Sequence, residues 1–317
     1  MTHAPTVPLS AGSLTIVSST ISISTLGATA HAALAAESGL VTVLAPLSRS
    51  LYVRAGDEIV WLGAMDATLH ARAMLTPLPP EAWNATRPGD SVRLDARSAT
   101  RWQPARWDPG RASRQALVAG AQALLDARAA LGRADGLGAL LAGRFPGFPL
   151  HDAHPRASAL AQACQADDPE AAIEPAIALL GLGPGLTPSG DDFVGGAFFA
   201  RAILGELDGH HAPGWPRAAH RVLTAAGART HPISGALLSD MLRGVGHAPL
   251  HTLMAVLATG APLEAATAAA RRVTRIGHSS GWDMLTGVLA GILGSTALRG
   301  PLGSTASSRS RSSLHGA

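Results

Sequence analysis

The hydrophobic period of this 317-residue chain changes once, and that change limits the folds open to it. From residue 13 to about 104, apolar residues alternate with polar ones in short runs. Leu14 and Ile16, Ile21 and Ile23, and residues 41–44, 51–53, 58–62, 69–74 and 91–94 are such runs, separated by Gly, Pro, Asp and Ser. Alternation at period two marks half-buried strands. Residues 28–38 read as a helix between the early strands. Short strands at close spacing predict a small β-rich barrel or sandwich over residues 13–104. Residues 102–110, with prolines at 104 and 109, read as a linker. Beyond it Leu117, Leu124 and Leu131 fall on one stripe beside Val118, Ala121 and Leu125, which is helical spacing. The expectation is an α+β chain: the β-rich unit, then a larger all-helical domain over residues 111–298. Helices are expected at 215–228, 233–243, 250–259, 263–276 and 281–298, and one opens at Asp168-Pro169-Glu170 with Asp168 as its cap. Residues 1–12 and the Ser/Arg-rich tail, 299–317, are expected to be disordered.

Within the helical domain a single stretch carries unusual chemistry: Gly181-Leu182-Gly183-Pro184-Gly185-Leu186-Thr187-Pro188-Ser189-Gly190-Asp191-Asp192. Apolar runs flank it, so it is a glycine-rich elbow that delivers the chain into a helix. Gly183, Gly185 and Gly190 permit close backbone approach, Pro188 suits a first helical position, and Ser189 or Thr187 suits a cap. A helix start of this kind attracts anions through its free N–H groups and its dipole. Asp191 and Asp192 stand where an anion would dock, so the site calls for a bridging divalent cation such as Mg²⁺ held by Asp191 and Asp192, or for a shared proton. The structural alternative is that two acids merely complement the dipole while the glycines end the preceding helix.

The motif recurs. Ser189-Gly190-x-Asp192-x-x-x-Gly196 shares its pattern with Ser280-Gly281-x-Asp283-x-x-x-Gly287, ninety-one positions later. Either the helical half contains a diverged duplication, or two helix starts converge on one pocket. Arg229-Thr230-His231-Pro232-Ile233-Ser234-Gly235 is a third polar turn, with Ser234 as a cap or ligand group. His278, followed by Ser279 and Ser280, is the best general acid/base candidate; its structural alternative is a histidine bonded to a cap. The candidate catalytic set is therefore Asp191, Asp192 and His278. The candidate ligand-binding set is Gly183, Gly185, Thr187, Ser189, Gly190, Ser234, Ser279, Ser280, Gly281 and Asp283. His210-His211 reads as an exposed loop, and His151-Asp152-Ala153-His154 as a loop lacking a third metal ligand.

Composition excludes several classes. All 25 basic residues are arginine, which rules out Schiff-base chemistry and a Walker lysine. The net charge is only +3 and the arginines are scattered, so nucleic-acid binding is not indicated. Cys164 is the single cysteine, in an ordinary helical run; it reads as a small buried residue and permits no internal disulfide. No 18-residue apolar stretch or signal peptide is read, so the expectation is a cytoplasmic protein with no membrane partner.

At these two turns, Gly183 to Asp192 and Gly277-His278-Ser279-Ser280-Gly281-Trp282-Asp283, the chain resembles the bacterial family containing the small subunit of oxamate carbamoyltransferase, a family of allantoin catabolism. The resemblance runs in order over about 111–298 and loosely over the strand-rich start. It implies a cytoplasmic, multi-subunit enzyme that exchanges a carbamoyl group between oxamate and phosphate, giving carbamoyl phosphate. Its partners would be the other carbamoyltransferase subunits and a small anionic substrate. It carries no residue-level roles, so the site assignments above rest on the residues themselves. Three readings follow: an enzyme subunit using the two acidic helix starts, a non-catalytic assembly or regulatory subunit, and a stand-alone metal-dependent hydrolase with too few ligands in view.

Overall fold

The computed structural model describes residues 20–37, 39–104, 107–108, 110–209 and 214–298. The expected strand at Leu14 and Ile16, the loop at His210-His211, the disordered ends and a portion of the linker lie outside the described residues. The class is α+β, as read. Eight strands form one mixed sheet in the order β1-β7-β3-β4-β5-β6-β2-β8. These are β1 (Thr20–Ser22), β2 (Thr25–Leu26), β3 (Leu40–Pro46), β4 (Ser50–Ala55), β5 (Glu58–Ala64), β6 (Ala73–Thr76), β7 (Ser91–Asp95) and β8 (Thr100–Arg101).

The expected barrel or sandwich is corrected to a single curled, unclosed sheet. Only Ile23 and Ser24 separate β1 from β2, yet these strands pair near opposite ends of the sheet. In a flat sheet six strand spacings, roughly 29 Å, would lie between them. Two residues span at most about 7 Å. The sheet therefore curls until Ile23 N–H reaches Asp95 O and Ser24 N–H reaches Leu75 O, both at 2.8 Å. β1 and β8 remain its edge strands.

One face of the sheet buries Ile21, Val41, Leu51, Val53, Val60, Leu62 and Val92 against helix α1 (Ala28–Ala36) and Trp83. The alternation then puts Tyr52, Ile59 and Trp61 on the other face. That face is also covered. Tyr52 and Ile59 pack with Ile233, Leu186 and Leu237 of the helical region. A buried ion pair joins the same two regions: Arg72 Nε donates to Asp240 at 2.7 Å, and Arg72 Nη1 to Glu58 at 2.6 Å.

The helical region runs from α2 (Arg114–Asp126) through α3 (Gly138–Leu141), α4 (Ala153–Gln165), α5 (Pro169–Leu179), α6 (Ser189–Leu207), α7 (Gly214–Arg229), α8 (Pro232–Leu242), α9 (Ala248–Ala258) and α10 (Leu263–Val273) to α11 (Ser280–Leu293). The periodicity located the later helices to within a few residues. It gave no helix at α3, a single turn. His151-Asp152-Ala153-His154 was read as a loop, but Ala153 and His154 open α4. Strand β6 starts at Ala73 rather than 69, because residues 68–72 turn across the sheet end to bring Leu69 O to the Ala248 amide at 2.8 Å. Asp168 caps α5 through the Ala171 amide with Pro169 at the first position, as expected. Among the described residues no helix is long and apolar enough to cross a membrane.

Candidate functional site

The repeated sequence is a repeated structure. α5, the elbow and α6 form one unit; α10, its turn and α11 form the other. In each unit the motif glycine presses on a carbonyl of the preceding helix. A Cβ on Gly190 would stand 1.9 Å from Leu179 O, and one on Gly281 would stand 2.0 Å from Val273 O. Gly190 N–H donates to Leu182 O at 2.8 Å and Gly281 N–H to Ile276 O at 2.9 Å. The next residues, Gly183 and Gly277, both take positive φ, +119° and +60°. Only glycine adopts such angles freely. The second motif glycines then interlock. A Cβ on Gly196 would lie 2.3 Å from Met284 O, and one on Gly287 would lie 2.0 Å from Phe193 O. Phe193 and Met284 are themselves equivalent positions, so α6 and α11 cross about an approximate two-fold.

This arrangement changes the capping reading. Pro188 is the N-cap of α6, Ser189 is its first residue, and neither Ser189 nor Thr187 caps it. The Gly190 and Asp191 amides are spent on Leu182 O and Pro188 O because the elbow folds back over the helix start. They are not available to an anion. The elbow amides of Gly183, Gly185, Leu186 and Thr187 take no hydrogen bond among the described residues. Thr187 instead pairs with Ser280 across the two turns, Oγ1 to Oγ at 3.2 Å.

Asp191 is a buried hub. It accepts from Gly181 N–H at 2.7 Å, from Ser234 Oγ at 2.5 Å, and from the Thr230 hydroxyl. One carboxylate thereby ties the elbow to the Thr230–Ser234 turn. Ser234 lies within α8 and serves Asp191; the cap of α8 is His231, whose Nδ1 accepts from Ile233 N–H at 3.2 Å. The third polar turn thus joins the elbow, while Asp192, the next residue along the helix, interacts most strongly with Asp283.

Asp192 and Asp283 form the centre of the site. Asp283 is fully buried. Its Oδ1 accepts from Leu137 N–H at 2.6 Å, and Gly136 is held so close that a Cβ there would meet Oδ1 at 2.3 Å. Burial pushes the Asp283 carboxyl up to about 7, with the Asp135 charge adding to it, while the Leu137 amide and the Ser189 and Ser279 hydroxyls hold it down. Burial also raises Asp192 well above the usual carboxylate range; the Asp283 and Asp191 charges raise it further and the Ser280 hydroxyl opposes them. The serines therefore exchange partners: Ser189 acts on the carboxyl of the other turn, and Ser280 returns the favour. Each carboxyl keeps one oxygen, Oδ2, without a hydrogen bond.

Two further residues, absent from the sequence reading, face this centre. Tyr52, the chain's only tyrosine, comes from β4. Burial and then the Asp192 charge push its hydroxyl up. His247 lines a narrow recess with Asp191, Asp192, Gly195 and Ser234 that has about 10 Å³ of free volume. Burial, and then His251, lower it to about 4. Its ring packs 4.8 Å from that of His70, which burial also keeps neutral. Singleton status was the one sequence signal for Tyr52; nothing local marked His247. Around Asp192 the environment favours the uncharged form of every one of these groups.

The outer side of the site is open. His278 is 96% exposed and lies 3.5 Å from Asp135. It stands apart from the buried carboxyls and is not enclosed by the pocket that a proton shuttle needs. Gly185 is exposed, and Gly183, Thr187, Ser279 and Ser280 are half-buried beside it. The residues do not fit a bridging Mg²⁺ at Asp191 and Asp192. Asp191 already receives three donors, and among the described residues no group of three acidic, histidine or cysteine side chains is placed to hold a metal. Cys164 is buried, and burial pushes its thiol up to about 12, so it is no nucleophile.

Comparison with known proteins meets the resemblance carried by the two turns. The family model of the oxamate carbamoyltransferase subunit AllH matches residues 179–292. The matched stretch opens at Leu179, whose carbonyl seats Gly190, and ends inside α11, so it contains both turns and the Thr230–Ser234 turn but not the sheet. No curated protein and no solved structure matches the chain.

Proposed function

We propose that this chain is a subunit of a carbamoyltransferase-type enzyme acting on oxamate and carbamoyl phosphate in purine-ureide nitrogen catabolism in the cytoplasm. In this reading it supplies one wall of a site that the other transferase subunits complete. The observation that carries the reading is the coincidence of the family match with the stretch that builds the paired turns. Residues 13–104 and 111–298 would be two units, with the sheet holding the elbow in place through Leu186.

The chemistry suits the centre. Moving a carbamoyl group from the oxamate nitrogen to phosphate breaks a C–N bond and forms a C–O bond. The departing nitrogen takes up one proton, and the attacking hydrogen phosphate gives one up, which returns the donor group to its protonated form. A carboxyl that holds its proton to higher pH than usual supplies such a proton, and burial and the Asp283 charge shift Asp192 in that direction. The unpaired elbow amides and the Thr187, Ser279 and Ser280 hydroxyls offer donors to phosphate or carboxylate oxygens on the open side. Arginine from a partner subunit would neutralise the anion, since no arginine reaches Asp192 strongly enough to alter its ionisation.

The test is formation of carbamoyl phosphate by the complex reconstituted with its partner subunits. Asp192→Asn should reduce turnover by roughly 10²–10⁴-fold, the usual worth of general acid catalysis, while the complex still assembles. The second reading, an assembly subunit, is favoured by the tightness of the recess. It predicts wild-type turnover for Asp192→Asn and loss of assembly for changes at the elbow. Wild-type rates would discard the catalytic role.

A further inference from the structure

A second cavity lies at the far end of α6. Arg201 is twelve residues beyond Ser189, about 18 Å along the helix axis. The cavity has a volume of about 450 Å³ and is walled by Phe198, Trp215, Ala219, Leu223 and Leu242. That size and apolar lining are those of small-molecule sites, which add a few convergent polar groups.

Here the polar lining is Asp167, Arg201, Asp208, His220, Ser239 and Arg243, and Arg201 pairs with Asp167. The Arg201 side chain is 5% exposed. Its Nη2 donates to Asp167 Oδ1, and its guanidinium sits over the Trp215 indole, 5.0 Å from the ring centroid. Its Nε–H is buried and has no partner among the described residues. An unmet buried donor of this kind costs about 1–3 kcal/mol, so its retention needs a reason.

Asp167 supplies a second, independent oddity. It is the one non-glycine residue with positive φ among the described residues, +52°. It ends α4, where Asp168 N–H closes back on Ala163 O at 2.9 Å. That position is ordinarily glycine, and an aspartate there is strained. What the aspartate adds is a carboxylate in the cavity wall. Oδ1 takes Arg201 and the Trp215 Nε1–H at 2.7 Å; Oδ2 has no hydrogen bond among the described residues.

The charges around the cavity are matched. Arg201 pairs with Asp167, Arg243 with Asp240 at 2.6 Å, and Arg114 with Asp208. A charged ligand would meet a like charge beside each opposite one. Among the described lining residues, the polar side-chain groups without a hydrogen bond include the buried Arg201 Nε–H, Asp167 Oδ2 and the His220 ring. We propose that this cavity is a second binding site, for an uncharged primary amide or urea carried on an apolar body. The amide carbonyl takes Arg201 Nε–H, an amide N–H goes to Asp167, and the body fills the space between Phe198 and Leu242. The proposal stands apart from the carbamoyl-transfer reading.

Three probes of one shape test it on the full chain: benzamide, benzoate and benzamidine, titrated by ligand-observed NMR. Benzamide should bind at least tenfold more tightly than either charged probe. Leu223→Trp, which fills the cavity at a half-buried position, should abolish its binding. Asp167→Gly removes both the strained φ and the acceptor, and leaves Arg201 unpaired; benzoate should then overtake benzamide. Absence of benzamide binding, equal or tighter benzoate binding to the wild type, or benzamide binding undisturbed by Leu223→Trp would each overturn the proposal.

Discussion

Two of the differences between the repeated units separate scaffold from site. From the helix carbonyl to the motif glycine, the first unit uses eleven positions, Leu179 to Gly190, and the second uses eight, Val273 to Gly281. The three extra residues make the elbow, and the elbow reaches the sheet: Leu186 packs with Tyr52 and Ile59. The second difference is one residue. Where the first unit has Asp191, the second has Trp282. Asp191 gathers the Gly181, Thr230 and Ser234 donors, whereas Trp282 packs against Gly138. What the units share, Ser-Gly-x-Asp-x-x-x-Gly, brings two helices into contact and two carboxyls face to face. What they do not share wires one unit to the sheet and leaves the other beside solvent at His278.

Substitutions at the shared glycines should have the largest effect. Gly196→Ala and Gly287→Ala each put a methyl carbon against a carbonyl oxygen of the other helix. Each should cost about 3 kcal/mol, since overpacking outweighs the helix-propensity gain of about 1 kcal/mol. Urea titration measures both; a loss confined to one of the two would break the symmetry.

Next comes the unshared residue. Asp191→Ala leaves an amide and two hydroxyls facing a void, so a loss of about 3 kcal/mol is expected, well above the ~0.3–1 kcal/mol that a dipole-complementing acid is worth. A loss within that lower range would reduce Asp191 to the bland reading.

The carboxyls predict a pH dependence. A carboxyl raised in the folded state favours folding while it stays protonated, and its contribution is lost as pH rises through the folded value, about 7 for Asp283. The buried histidines have the opposite sign: His247 and His251, both lowered to about 4, add stability as pH rises from there to the ordinary histidine range, ~6.5. At pH 6.5 the unfolded histidines are still half protonated, so the carboxyl is read from the difference between wild type and Asp283→Asn rather than from the wild type alone. Between pH 6.5 and 8 the wild type should lose somewhat under ~1 kcal/mol relative to Asp283→Asn. Melting temperatures of both proteins across that interval decide it, and parallel curves would place the carboxyl's proton elsewhere.

The smallest effect should come from His278→Gln. The side chain is almost wholly exposed, so stability should change by less than about 0.5 kcal/mol. Turnover of the reconstituted complex is the sharper readout. A large rate loss there would mean that a partner subunit encloses His278 and restores the role the isolated chain denies it.

Much of this was legible in one dimension because it is local. Alternation and helical spacing count neighbours, so β3 to β5 and α7 to α11 could be found without knowing what they pack against. The Asp168-Pro169 helix start was readable for the same reason. The duplicated motif was visible because steric limits on glycine are strict: where an added Cβ would stand 2.0 Å from a carbonyl oxygen, no other residue type fits. The curling of the β-rich region was not legible. It depends on Ile23 and Ser24 bridging β7 and β6, and nothing in those two residues says which strands they will meet.

The site divides in the same way. Sequence alone determined the two helix starts, their serines and acids, and the lysine-free chemistry, because each is a matter of residue type and spacing. Tertiary structure decided which acid does what. Asp191 and Asp192 are adjacent, yet the helix turns them to different neighbours, one to three donors and the other to Asp283. Tertiary structure also brought Tyr52 across from the sheet and His247 from the start of α9, and it left His278 in solvent. The physical reason is that ionisation, capping and exposure are set by burial and by charges within a few ångströms, and those neighbours lie from tens to more than a hundred residues away along the chain.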